Sequence, residues 1–321
     1  MNAYIEIESL RSLINQRHDE RYGECLRMLK RNLSLNFSFS KAEALADPVI
    51  QNWVKELTVG SIAPKPNWDS TYPDPLNELS LDGITIDKLC AVYLLDDTTP
   101  QSLAKAMLVS CFGHELDTLS KLFVRTDMQE FDDQLAPSSI GSWKKLDIYC
   151  APCTDILIAD RYILSDKRLL SRNLYSIINI LTNKTKGKRI NIVIAVERNS
   201  INVDIDLENV SETIKSNVEE NVGVKPNVTF LLCAQHGGEH LFHDRLILTN
   251  YRAITSGDSF NYFNPDGKVR TGGFGITITS LAKKYSYVQE QVINTYCGKL
   301  QNEVRYAMIK GDKMSNFLLF R

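Results

Sequence analysis

The sequence predicts an α/β chain of two domains, a mostly helical α+β domain over residues 1–144 and a mixed β-sheet flanked by helices over 145–321. Three observations predict it. The chain has 321 residues, 43% of them hydrophobic and 24% charged, which is enough for more than one packed core. Residues 1 to about 57 space their apolar side chains at helical intervals, in "IESLRSLINQ" and "YGECLRMLKRNL". The second half instead alternates short, β-branched apolar runs with amphipathic stretches of helical length.

The elements follow in order. "SIAPKPNWDSTYPDPLNE" is rich in Pro, Ser, Asn and Asp and reads as a loop. "KLCAVYLLDD" (88–97) reads as a buried strand ending in acids, and "SLAKAMLVSCFGHELDTLSKLFV" as a helix. "DMQEFDDQLAPSSIGSW" is a second polar loop, and the domain boundary is expected there, near 144. Beyond it, "KLDIYCAP" is expected as a strand, followed by "DILIADRYIL". Helix "DKRLLSRNLYSIINILTN" presents Leu170, Leu174, Ile177 and Leu181 on one face. Strand "RINIVIAVE" precedes helix "LENVSETIKSNVEENVG", which aligns Leu207, Val210, Ile214, Val218 and Val222. Strands "NVTFLLCA" and "LFHDRLILTN" come next, then a Gly-rich strand around "GGFGITITSL". A last helix carries Val288, Val292, Tyr296, Leu300 and Val304.

Charge and cysteine usage narrow the function classes. A formal net charge of -2 argues against a chain that binds nucleic acid over its whole surface, though a local basic patch could hold phosphate. Seven scattered cysteines fit buried free thiols in a reducing compartment. "MNAYIEIESL" lacks the features of a signal peptide, and apolar runs such as "INIVIAVE" are too short to span a bilayer, so a cytoplasmic protein without a transmembrane segment is expected. Cys150 and Cys153 form a C-x-x-C, but strand-like residues follow where a redox dithiol needs a helix N-terminus, and no second pair is spaced for zinc. They read as packed thiols, and no metal or cofactor is expected. His18 and His114 are isolated on helical segments and read as structural or surface residues. "NKTKGKR" (183–189) reads as a solvated basic turn.

The stretch "FHDRLILTNYRAITSGDSFNYF" (242–263) is different. Strand alternation puts His243, Arg245 and Ile247 on one face, which sets an imidazole beside a guanidinium at the spacing of one phosphate. Gly257 allows close backbone approach, and Ser259 and Asn261 recur at alternate positions.

These residues resemble the H-x-K-x4-D … G-S-x-N signature of the phospholipase D superfamily, and are especially similar to the phospholipase-D-like domain that follows eukaryotic MIT domains. "ILIADRYIL", with its Asp–x–Tyr, is similar to that superfamily's first strand. The resemblance spans roughly 146–310. It implies a metal-independent phosphodiesterase, a nuclease rather than a lipase, with His243 as the nucleophile that forms a phosphohistidine. Arg245 then stands for the motif Lys, Asn250 for its Asp, and Ser259 and Asn261, with Gly257, for the groups that hold phosphate. A single motif implies a homodimer that brings two copies of His243 together; His236 or His240 would be local alternatives for the acid. The alternative implied is a catalytically degenerate module that binds a phosphate or phospholipid head group. Arg for Lys and Asn for Asp lean that way. The ligand is a phosphodiester in either case, nucleic acid before lipid.

Overall fold

The structure is a computed structural model. It describes residues 2–59, 65–71, 91–96, 132–135, 142–185, 189–234, 242, 245–270, 275–281 and 287–312. The chain forms two compact units, Met1–Phe131 with Ser280–Ser286, and Asp132–Thr279 with Tyr287–Arg321. The expected helix around 101–124 lies outside the described residues.

The first unit is mixed α/β. Strand β1 (Asn2–Ile5) leads into α1 (Ile7–Asn15) and α2 (Glu20–Asn32); β2 (Ser34–Phe37), α3 (Lys41–Ala46), α4 (Pro48–Val59) and β3 (Val92–Leu94) follow. The three strands are parallel, in the order β2-β1-β3. The apolar spacing identified α1 and α2, but residues 1–57 are not all helical as expected. β1 and β2 are only four residues each, too short to show a period against the helices beside them. Pairing and burial hold them, with Ala3, Ile5, Leu35 and Phe37 at 2% exposure or less. Helix α3 starts on a complete capping box, the Ser40 hydroxyl accepting from the Glu43 N–H and the Glu43 carboxylate from the Ser40 N–H.

The second unit holds an eight-stranded mixed sheet. Its strands are β4 (Asp132–Leu135), β5 (Asp155–Ala159), β6 (Asn191–Glu197), β7 (Asn227–Cys233), β8 (Arg245–Thr249), β9 (Arg252–Ser256), β10 (Ile276–Ser280) and β11 (Met308–Gly311). The order is β11-β7-β6-β5-β8-β9-β10-β4. Strands β5, β6 and β7 are parallel, and β8 runs antiparallel to β5 and to β9. Because β4 pairs with β10, the second unit begins at Asp132, upstream of the boundary expected at 144.

Burial explains the near-continuous apolar runs. Every residue of β5 and β6 is buried, as parallel strands covered on both faces require. Helices α5 (Leu174–Thr182) and α6 (Leu207–Val222) cover one face. Leu174, Ile177 and Leu181 from α5 meet Val210, Ile214 and Val218 from α6 over Ile156, Ile194 and Phe230. Helix α6 is closed by Asp206, whose carboxylate caps Glu208 N, and by Gly223 in the left-handed conformation. Helix α7 (Tyr287–Val304) packs on β7. Leu300 is fully buried there.

"KLDIYCAP" is not a strand. Trp143–Tyr149 is a 3-10 helix, which buries Trp143, Leu146 and Tyr149 at the three-residue period of that helix. The cysteines of the described residues, among them Cys150 and Cys153, are free and buried. Burial pushes the Cys150 thiol up to about 12, and each thiol donates to a backbone carbonyl, Cys150 to Leu146 O (3.3 Å) and Cys153 to Leu181 O (3.4 Å).

Phe230, fully buried at the centre of this core, is expected to set much of the second unit's stability. Phe230→Ala should cost about 3–5 kcal/mol in urea unfolding followed by circular dichroism.

Candidate functional site

The candidate site forms where β5 ends. Asp160 follows the last residue of β5 and is completely buried. Such a carboxylate is tolerable only if its oxygens accept hydrogen bonds. Oδ2 accepts from the Ser259 hydroxyl (2.8 Å) and from Phe260 N (2.6 Å), and Oδ1 from Tyr162 N (2.9 Å). Burial pushes the Asp160 carboxyl up; the bonds from Tyr162, Ser259 and Phe260 and the charge of Arg245 oppose that rise.

The turn that follows β9 is therefore clamped to the end of β5. The Ser259 hydroxyl also accepts from Asn261 N (3.2 Å), and Asn261 Nδ2 donates to Tyr162 O (2.5 Å). Ser259 N donates to Asp258 Oδ1 (2.7 Å). Two arginines grip the same turn, Arg245 Nη1 at Gly257 O (2.8 Å) and Arg270 Nη1 at Asn261 O (3.3 Å). On the other side of the chain, Phe260, Tyr262 and Phe263 pack around the Trp143 ring at 5.6–6.3 Å between centroids. Asn173 joins these pieces, accepting from Trp143 Nε1 (3.2 Å) and Phe263 N (2.9 Å) and donating to Phe263 O (2.9 Å). Thus "SFNYF" divides its work: the aromatics fix the turn in the core, and Ser259 and Asn261 meet Asp160 and Tyr162.

A second charged pair stands next to Asp160. Arg161 pairs with Glu197 at the end of β6 and approaches Ser200 Oγ (3.3 Å). Its guanidinium carbon lies 5.1 Å from the centre of the Tyr162 ring. A cleft of about 220 Å³ opens beside the turn, lined by Tyr162, Ser165, Asp258, Asn261, Tyr262 and Arg270 among others.

The structure brings together Arg245, Gly257, Ser259 and Asn261, but Ser259 and Asn261 are already engaged with protein groups. Asn250 lies elsewhere. It follows β8, five residues beyond Arg245, or roughly 17 Å along an extended strand. Its Oδ1 accepts from Thr154 N (2.9 Å) and Asp155 N (3.1 Å), and its Nδ2 donates to Thr154 Oγ1 (3.1 Å). Asn250 closes the opposite end of the β5–β8 pair and takes no part in the site, contrary to the expectation that it stands there in place of an acid. His243, His236 and His240 lie outside the described residues. The sequence carries one signal for Asp160, an acid directly after the apolar run Ile156–Ala159.

No family model and no curated protein matches the chain. Among solved structures, TrmBL2, an archaeal chromatin protein described as showing a novel mode of DNA binding, aligns at 11% identity and a TM-score of 0.28. The alignment covers 56% of this chain and 55% of TrmBL2, so the chain matches little more than half of that protein's length. A score this low supports neither a shared fold nor a shared function.

Two substitutions separate the site from the far clamp. Asp160→Ala leaves the Ser259 hydroxyl and two backbone N–H groups without their acceptor and should cost about 2–4 kcal/mol by urea unfolding. Asn250→Ala should cost about 1–3 kcal/mol by the same measurement and leave the Asp160 hydrogen bonds in place.

Proposed function

We propose that the second unit is a phosphate-group-binding module of phospholipase-D-like kind that holds its ligand without cleaving it. One observation carries the reading: the Ser259 hydroxyl donates to Asp160 and the Asn261 amide to Tyr162 O, so neither is poised to hold a transferring phosphoryl group. With Asn250 at the far end of β8, the expected phosphate-handling set reduces to Arg245, His243 and the backbone of the Gly257 turn.

Placement supports a ligand there. The turn lies beyond the carboxyl ends of the parallel strands β5 and β6, where open α/β sheets present their binding crevices. Arg245 supplies a half-buried guanidinium whose planar fork matches two phosphate oxygens. The buried carboxylate of Asp160 behind the turn holds the donors in place before a ligand arrives. A binding module needs no second histidine, so two copies of His243 across a two-fold axis belong to the hydrolytic alternative. The ligand is the phosphate of a phosphodiester, nucleic acid before lipid. No described helix is long and apolar enough to cross a membrane. The buried free thiols suit a reducing cytoplasm.

The test uses single-stranded DNA, double-stranded DNA, RNA and a phospholipid, each in EDTA, with wild type, His243→Ala and Arg245→Ala. The expected result is no hydrolysis by any of the three at any pH. Phosphate binding should weaken by about 1.5–3 kcal/mol in Arg245→Ala and by about 1 kcal/mol in His243→Ala. Hydrolysis by wild type that disappears in His243→Ala would restore the phosphodiesterase and discard the binding module.

A further inference from the structure

The cleft beside the turn contains a polar atom that the fold leaves unused. Asn261 is only 2% exposed and lines the cleft. Its Nδ2 must face the Tyr162 carbonyl, because a carbonyl only accepts, and this fixes the amide orientation. Its Oδ1 is then buried with no donor among the described residues. A buried acceptor in that state is costly, and a ligand hydroxyl would satisfy it.

Three neighbours define what such a ligand carries. Asp258 places a carboxylate on the cleft wall while its Oδ1 accepts from Ser259 N, and a carboxylate accepts well from paired hydroxyls. The Tyr262 phenol lines the same wall; burial pushes its pKa up, which keeps it a neutral donor and acceptor. Arg270 stands exposed at the rim and uses one N–H on Asn261 O, and a guanidinium has five. Anion at the rim and hydroxyl acceptors inside describe one ligand class. A volume of about 220 Å³ exceeds the roughly 150 Å³ of an engineered cavity that takes up benzene, so a ring of pentose size fits.

We propose that this cleft is a subsite for a sugar phosphate bearing a vicinal diol, with the diol on Asp258 and Asn261 Oδ1 and the phosphate on Arg270 at the rim. Arg270 lines the cleft and holds Asn261 O with one N–H, so its guanidinium stands beside the residue that offers the unused oxygen. The inference rests on the reading that this edge binds phosphate, and it adds the sugar. The charge of Asp258 on the cleft wall repels a bare phosphate beside it, so Asp258 favours a hydroxyl-bearing ester.

The experiment is calorimetric titration of the full chain with ribose 5-phosphate, 2-deoxyribose 5-phosphate and inorganic phosphate, on wild type and Asp258→Asn. The asparagine keeps an acceptor for Ser259 N and removes only the charge. Wild type should bind ribose 5-phosphate about tenfold more tightly than either other ligand. Asp258→Asn should erase that preference while binding inorganic phosphate as well as wild type or better. Equal affinity for the ribose and deoxyribose esters in wild type overturns the diol subsite and needs no variant; so does a preference that persists in Asp258→Asn. If inorganic phosphate binds and the ribose ester binds no better, the phosphate reading stands and the sugar subsite falls. If only the ribose ester binds, the subsite stands and the bare-phosphate reading falls. If nothing binds, both fall.

Discussion

The second unit depends on one buried carboxylate. Asp160 sits at the end of a strand with no access to water, and three donors arrange themselves around it. The free-energy cost of burying an unsolvated carboxylate is several kcal/mol, and hydrogen bonds of the charge-assisted kind offset it only while every donor stays in place. Strand β5, the turn at Gly257–Asn261 and the backbone of Tyr162 are thus one mechanical piece. Arg245 adds its charge from the start of β8, the antiparallel neighbour of β5.

The same constraint motivates the proposed function. A hydroxyl that donates to a buried carboxylate cannot also donate to a phosphoryl oxygen without breaking the first bond. Preorganisation in this chain is directed inward at Asp160, whereas catalysis of phosphoryl transfer needs donors directed at the developing charge. Binding asks for less: a fixed positive charge and a rigid surface. In the proposed reading, the arginines that grip the two ends of the turn supply both.

Much of the architecture was legible in the sequence. Leu174, Ile177 and Leu181 lie on α5 and Val210, Ile214 and Val218 on α6, all buried, so the helical period showed; Leu170 is buried but precedes α5, and Leu207 and Val222 at the ends of α6 are only partly buried. The parallel strands were legible because double-sided burial leaves apolar runs between polar ends, Ile156–Ala159 in β5 and Ile192–Val196 in β6. "NAYI" and "SLNF" were not, since four residues carry too little pattern to stand out from adjoining helices. "KLDIY" misled because a spacing of three, at Trp143, Leu146 and Tyr149, belongs to a 3-10 helix that short windows confuse with a strand. In the candidate site, the sequence pattern named Arg245, Gly257, Ser259 and Asn261, but not that Ser259 and Asn261 turn inward to Asp160 and Tyr162. Asn250 was assigned by analogy against its own geometry: a strand rises ~3.4 Å per residue, which carries it away from Arg245. Asp160 was missed because its role lies in contacts with residues about a hundred positions later in the chain, which no local pattern reports.

Amide hydrogen exchange at Phe260 and Asn261 tests the central claim most directly, because the Phe260 N–H is bound to Asp160 and the Asn261 N–H to Ser259 Oγ. If the turn is latched to Asp160 and binds phosphate as a preformed surface, both amides are strongly protected in the free protein and remain so when a phosphodiester is added. If the turn instead opens to hand Ser259 to the ligand, adding the phosphodiester speeds exchange at Phe260, and the account of an inward-facing, non-hydrolytic site is wrong.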